Sequence, residues 1–244
     1  MKLYDEVINK WSSLLEGCSL KNLNINGDCA KDAGSHQMIL KSDCAYELGG
    51  STPSVHALGA TAVTGQASFF CGDEIILAGP DLKDIDKDIS FARLTIVQVA
   101  ENALGDGNTL YNAIKKIDNV RFHVNPEGYM PRISSVYGRE SIRISKEALN
   151  KGLSFEKVGN LLIKKLKENP DVKAVKLIYI TDPGFNFNEL EASVKESADI
   201  TKAIDHIMKN AMTDCNTCAL QKVCDEVEGL RELHFGTEGQ SLAR

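Results

Sequence analysis

Apolar side chains recur at Leu3, Val7, Ile8, Trp11, Leu14 and Leu15. That is the 3.6-residue spacing of one helix face, so the pattern predicts an opening helix over 3–16 that Gly17 ends. Leu20 to Gly34, LKNLNINGDCAKDAG, is rich in Asn, Asp and Gly and reads as loop. Residues 36–48 read as one or two strands ending at Gly49-Gly50. The Gly-, Thr- and Val-rich stretch VHALGATAVTG comes next, then DEIILAG, a strand broken at Gly79-Pro80. FARLTIVQVAEN, over 91–102, is dense in β-branched residues and is the candidate for a central strand.

A short amphipathic helix is expected over 108–117, with Asn108 or Thr109 as cap, and a two-proline loop, NPEGYMPR, over 125–132. SSVYGRESIRIS then reads as a hairpin or strand pair. Ser154 is placed to cap a helix carrying Phe155, Val158, Leu161, Leu162 and Leu166 on one face, stopped at Asn169-Pro170. VKAVKLIYIT over 172–181 is a strand, DPGFN a turn, and a long helix runs from about 188 to 211. Strands early and helix–strand–helix later give an α+β class, a mixed β-sheet packed with helices, ending in a C-terminal metal-binding segment. The expected divisions are an N-terminal helix and loop (1–35), the α+β domain (36–211), a Cys-rich segment (212–235) and a tail (236–244).

Composition narrows the function. The 244 residues are 43 % hydrophobic and 25 % charged, ordinary for a folded protein, and 34 acidic against 28 basic side chains leave a net charge of −6. Phosphate neutralisation needs clustered Lys and Arg, so no nucleic-acid partner is expected. The longest apolar runs, such as LTIVQVA, fall far short of the roughly 20 residues of a membrane span, so no membrane role is expected either. MKLYDEVINKWSSLLEG has acidic residues and no continuous apolar stretch, unlike a secretory signal, and the expected location is the cytoplasm. Seven cysteines, an odd number, then favour reduced thiols over a disulfide framework.

Four of them, Cys18, Cys29, Cys44 and Cys71, are scattered as small buried hydrophobes would be. The other three are bunched as Cys215, Cys218 and Cys224, a C-x2-C-x5-C run, with His234 ten residues on. Two thiolates one turn apart reach one soft centre without backbone strain. Three suit either an iron–sulfur cubane or zinc, and His234 would complete a Cys3His zinc site. A cubane's fourth ligand would come from His234, from Cys29, Cys44 or Cys71, or from outside the chain. A second cluster is basic: Arg132, Arg139, Arg143 and Lys146, beside Tyr129 and Tyr137. It suits a nucleotide-like or coenzyme A ligand, or else a solvated positive edge on a hairpin.

The order AYELGGSTPSVHALGATAVT, DEIILAGPDLKDI, SIRISKEALNKGLSFEKVGNLLIKKLKENP and VKLIYITD resembles the middle domain of the acetyl-CoA synthase family, the β subunit of the carbon monoxide dehydrogenase/acetyl-CoA synthase complex. The likeness runs from about Cys44 to Cys224, about three-quarters of the chain, and ELGGSTP, IILAGPD and RISKEALNKGLSF are its most specific pieces. It implies that Cys215, Cys218 and Cys224 are ligands of a 4Fe–4S cluster, and that Arg132, Arg139 and Arg143 bind coenzyme A. The departures are specific. The family's cysteines run C-x2-C-x8-C-x9-C; here the second gap is five and His234 holds the fourth position. The Cys-x-Cys pair that binds nickel in the family is absent, and the only tryptophan is Trp11, away from the arginines.

The leading expectation is therefore an iron–sulfur accessory protein of anaerobic one-carbon metabolism, working by electron transfer to a redox partner or by docking a corrinoid protein. Two other classes stand beside it: a structural zinc or metal-free interaction module, and an enzyme acting on an acyl-CoA or a methyl-corrinoid.

Overall fold

The computed structural model describes residues 2–34, 37–50, 55–104, 107–134, 138–208, 218–227 and 230. Helix α1 is Asp5–Leu15, and its Val7, Ile8, Trp11 and Leu15 are buried, as the periodicity requires. A five-stranded mixed sheet follows: β1 (Leu20–Leu23), β3 (Ala57–Thr64), β4 (Glu74–Ala78), β5 (Phe91–Val99) and β8 (Val172–Ile180), in the order β1-β4-β8-β5-β3. β4 runs parallel to β8 and β3 parallel to β5, while β5 pairs antiparallel with β8. A second sheet, antiparallel throughout, has the order β2-β7-β6, with β2 Cys44–Leu48, β6 Tyr129–Ile133 and β7 Glu140–Ser145. The class is α+β, as the pattern predicts.

β5 is interior but not central; β8 holds the middle of the sheet. Both strands read as near-continuous apolar runs because both of their faces are covered. The expected loop over 20–34 begins with an edge strand, β1, whose residues are mostly exposed and which is held by pairing with β4 alone. The expected two-proline loop contains β6. Pro131 is tolerated in that ladder because β6 is an edge strand, where a missing N–H leaves no neighbour unpaired. The hairpin expected from SSVYGRESIRIS is thus β6 with β7, its partner strand lying upstream.

Helix α2 is Gly107–His123, longer than expected, and α3 is Lys146–Asn150. α4, Phe155–Leu166, begins where Ser154 Oγ accepts from Lys157 N, and Asp81 of the GPD turn accepts from Phe155 N. α5 is Phe187–Met208 and α6 is Gln221–Glu226. α1 lies along α5: Trp11 Nε1 donates to Ser193 Oγ at 3.1 Å, and the Tyr4 and Thr201 hydroxyls hydrogen-bond at 3.0 Å. Both helices also contact β3.

The small sheet is joined to the large one by a buried ion pair. Arg93 of β5 donates through Nε to Glu140 Oε1 at 2.7 Å and through Nη2 to Oε2 at 2.6 Å. Its Nη1 reaches Thr95 Oγ1 at 2.6 Å, and Arg93 and Glu140 are 3 % and 1 % exposed. Gly59, paired with Arg93 across the β3–β5 ladder, makes room for the carboxylate: a Cβ there would stand 2.5 Å from Glu140 Oε2. Burial alone would lower the Arg93 pKa, but Glu140 outweighs it and the net direction is upward. Tyr129 and Tyr179 are buried in the same layer.

Removing one member of a buried pair strands the other. Glu140→Ala should therefore lower the unfolding free energy by about 3–5 kcal/mol in urea titrations, and the apolar double variant Arg93→Met/Glu140→Leu by less. Burial pushes the phenol pKa values of Tyr4, Tyr46, Tyr129 and Tyr179 above the ordinary value of about 10. The folded chain then keeps protons that the unfolded chain releases, so stability is full below about pH 10 and falls as pH rises further. These four phenolates should appear at 295 nm only as near-ultraviolet circular dichroism is lost; ionisation of all six tyrosines in folded protein would contradict the burial.

Candidate functional site

Strand alternation sorts the small sheet into two faces. Glu140, Ile142 and Ile144 of β7 point inward and are at most 1 % exposed. Ser141 and Arg143 are of the other parity. Register sets Arg132 of β6 beside Ser141, and Glu47 of β2 beside Arg143. Glu47 therefore meets both arginines on the outer face: Arg143 Nε donates to Oε1 at 2.7 Å, and Arg132 Nη1 stands 3.5 Å from Oε2. Arg143 Nη1 also reaches the Ile39 carbonyl at 3.3 Å. Arg139, just ahead of β7, is exposed and makes no ion pair among the described residues.

Glu47, Gly49, Gly50, Arg132, Arg139 and Ser141 line a recess of about 270 Å³. Its floor needs glycine. Gly49 has φ +65°, and a Cβ there would stand 2.5 Å from Ala57 Cβ. The Glu47 amide donates to Asp88 Oδ1 at 2.7 Å, which holds the carboxylate's backbone in place. Two guanidinium groups and one carboxylate line the recess, and Arg143 stands behind that carboxylate, which makes the face an anion-attracting surface. The structure thus brings Arg132, Arg139 and Arg143 to one face. It takes Tyr129 to the opposite, buried face and Lys146 to the Ser42 carbonyl on a separate open cleft of about 740 Å³. Tyr137 lies outside the described residues.

Of the candidate metal ligands, Cys215 and His234 lie outside the described residues. Cys218 and Cys224 are half-buried thiols without a disulfide. The Cys218 carbonyl accepts from Gln221 N at 3.1 Å, opening α6, and Cys224 lies within that helix. Leu220, Val223, Cys224 and Val227 pack against the core, and α6 contacts α5. Among the described residues no three of His, Cys, Asp and Glu assemble as a metal-binding group. Cys44 Sγ donates to the Tyr46 carbonyl at 3.1 Å, and burial raises its pKa; Cys18 is likewise raised by burial. Cys29 and Cys71 are exposed.

Sequence reasoning missed Glu47. It opens the ELGGSTP piece, but it stands 96 residues from Arg143, and nothing local points to an arginine partner; the pairing of β2 with β7 brings the two together.

The fold is thus of the α+β class, with an arginine-lined recess on the outer face of the small sheet and a cysteine on α6. Residues 34–185 match the family model described as CdhC, the CO dehydrogenase/acetyl-CoA synthase complex beta subunit, and the chain belongs to that family. No curated protein matches it. The match places the chain among proteins of CO and acetyl-CoA metabolism. No helix among the described residues is long and apolar enough to cross a membrane.

Proposed function

We propose that the protein is an iron–sulfur accessory component of CO/acetyl-CoA metabolism, with Cys215, Cys218 and Cys224 holding a 4Fe–4S cluster and His234 as its fourth ligand. The observation that carries this is the bunching of three cysteines in ten residues, with Cys218 and Cys224 left as unbridged thiols on a segment docked against α5. The donor set fits: three soft thiolates and an imidazole suit iron–sulfur or zinc. A bound cubane supplies one-electron exchange. The chain's own contribution is mechanical: Leu220, Val223 and Val227 anchor α6 and so hold Cys218 and Cys224 half-buried. Membership of a family described as a complex subunit supports a protein partner, for which a redox protein or a corrinoid protein is the proposed class. The cytoplasm is the proposed location.

Oxygen-free preparation followed by iron and labile-sulfide analysis should find about four of each per chain, with a paramagnetic resonance signal on reduction. A colourless protein loaded with zinc would instead establish the structural-zinc reading. In that case Cys218→Ser should melt the C-terminal segment, because metal affinity there is folding energy.

A second reading rests on the recess at the outer face, where Arg132 and Arg139 converge. It takes the phosphate groups of coenzyme A, and the chain then acts on or carries an acyl-CoA. Replacing a charged hydrogen-bond donor costs about 1.5–3 kcal/mol, so Arg139→Ala should weaken coenzyme A binding about tenfold or more in calorimetry. Absence of binding by the unaltered protein at millimolar ligand would dispose of this reading.

A further inference from the structure

The recess holds a carboxylate of its own. Glu47 reaches it from β2, its backbone tied to Asp88, and shares its two oxygens between Arg143 at 2.7 Å and Arg132 at 3.5 Å. The two contacts are unequal in setting as well as length. Arg143 is also held by the Ile39 carbonyl and is 26 % exposed, whereas Arg132 is 50 % exposed and, among the described residues, has only the longer contact. Arg139 adds a third guanidinium, without an ion pair among the described residues.

From this arrangement we infer that Glu47 is a built-in competitor, an anion supplied by the chain that occupies Arg132 until a phosphate group displaces it. The inference rests on the arginine-recess reading above and deepens it. The ligand class is a phosphate ester or diphosphate, since two or three converging guanidiniums match the oxygens of phosphate in fork geometry. Arg139, without an ion pair among the described residues, makes the first contact, and Arg132 turns from Glu47 to the ligand. Arg143 stays with Glu47 because it has the shorter bond and a second acceptor. The physical consequence is a threshold: a ligand must attract Arg132 more strongly than Glu47 does, so a weakly attracted monoanion leaves the Glu47–Arg132 contact in place while a group of higher charge displaces it. Glu47 is a positioning and selectivity residue here.

The test is calorimetric titration of the full chain with inorganic pyrophosphate. Glu47→Gln keeps an acceptor for Arg143 and removes the charge, and it should bind pyrophosphate about tenfold more tightly than the unaltered protein. Acetate, a monoanion, should bind the variant and show no binding to the unaltered protein. Arg139→Ala should weaken pyrophosphate binding in both backgrounds. Glu47→Ser provides the same removal of charge with a smaller side chain should the amide disturb the hairpin. Equal or weaker binding by the Glu47 variants, with Arg139→Ala still weakening the unaltered protein, would overturn the inference and leave the recess reading standing. No pyrophosphate binding by any of the proteins would overturn both.

Discussion

The contact between Arg93 and Glu140 decides how the two sheets of this protein meet. Each charge is almost wholly removed from water; Glu140 accepts two bonds from Arg93, and Arg93 donates a third to Thr95. Such a pair does not outdo apolar packing in stability, but it tolerates few alternatives, because any sliding of the small sheet leaves a buried charge alone. Glu140 opens β7, so the pair fixes where the β6–β7 hairpin lands on the large sheet. Gly59 makes the fit possible by having no side chain at the point of closest approach. Phe91, Phe155 and Tyr179 stack beside it and supply the apolar burial that the ion pair does not.

That placement has a consequence on the far side of the hairpin. Because side chains alternate along β7, holding Glu140, Ile142 and Ile144 inward holds Ser141 and Arg143 outward. The arginine face is therefore the reverse of the core face, and its spacing is inherited from the sheet. Glu47 joins it through β2, and the Gly49-Gly50 pair turns the chain tightly enough to form the floor of the recess. The cysteine segment is built on a different principle. Its described part, α6, rests on α5 and the core through apolar contacts, so Cys224 is carried by a different part of the molecule from the arginine recess.

Much of the framework could be read from residue order. The helices α1, α4 and α5 show their apolar periodicity, and the strands β4, β5 and β8 show runs of Ile, Leu and Val between breakers. Two elements could not. β1 is an exposed edge strand of Asn- and Lys-containing sequence that exists because β4 offers it a ladder, and β6 contains a proline that argues locally for a loop. In both cases the decision lay with a neighbour distant in the chain, which local propensity does not see. The same holds within the candidate site: the three arginines lie close enough in sequence to be noticed, while Glu47 does not.

The order of residues by itself determined the α+β class, the family, the bunched thiols and the net acidity. Periodicity and composition are local or additive properties, and they survive without any knowledge of contacts. Only the tertiary structure decided that Arg93 finds Glu140, that Glu47 sits on Arg143 and Arg132, and that Tyr129 turns away from the arginines it neighbours in the chain. The reason is that alternation tells which side chains share a face, whereas strand pairing and the burial of one sheet on another tell which faces meet.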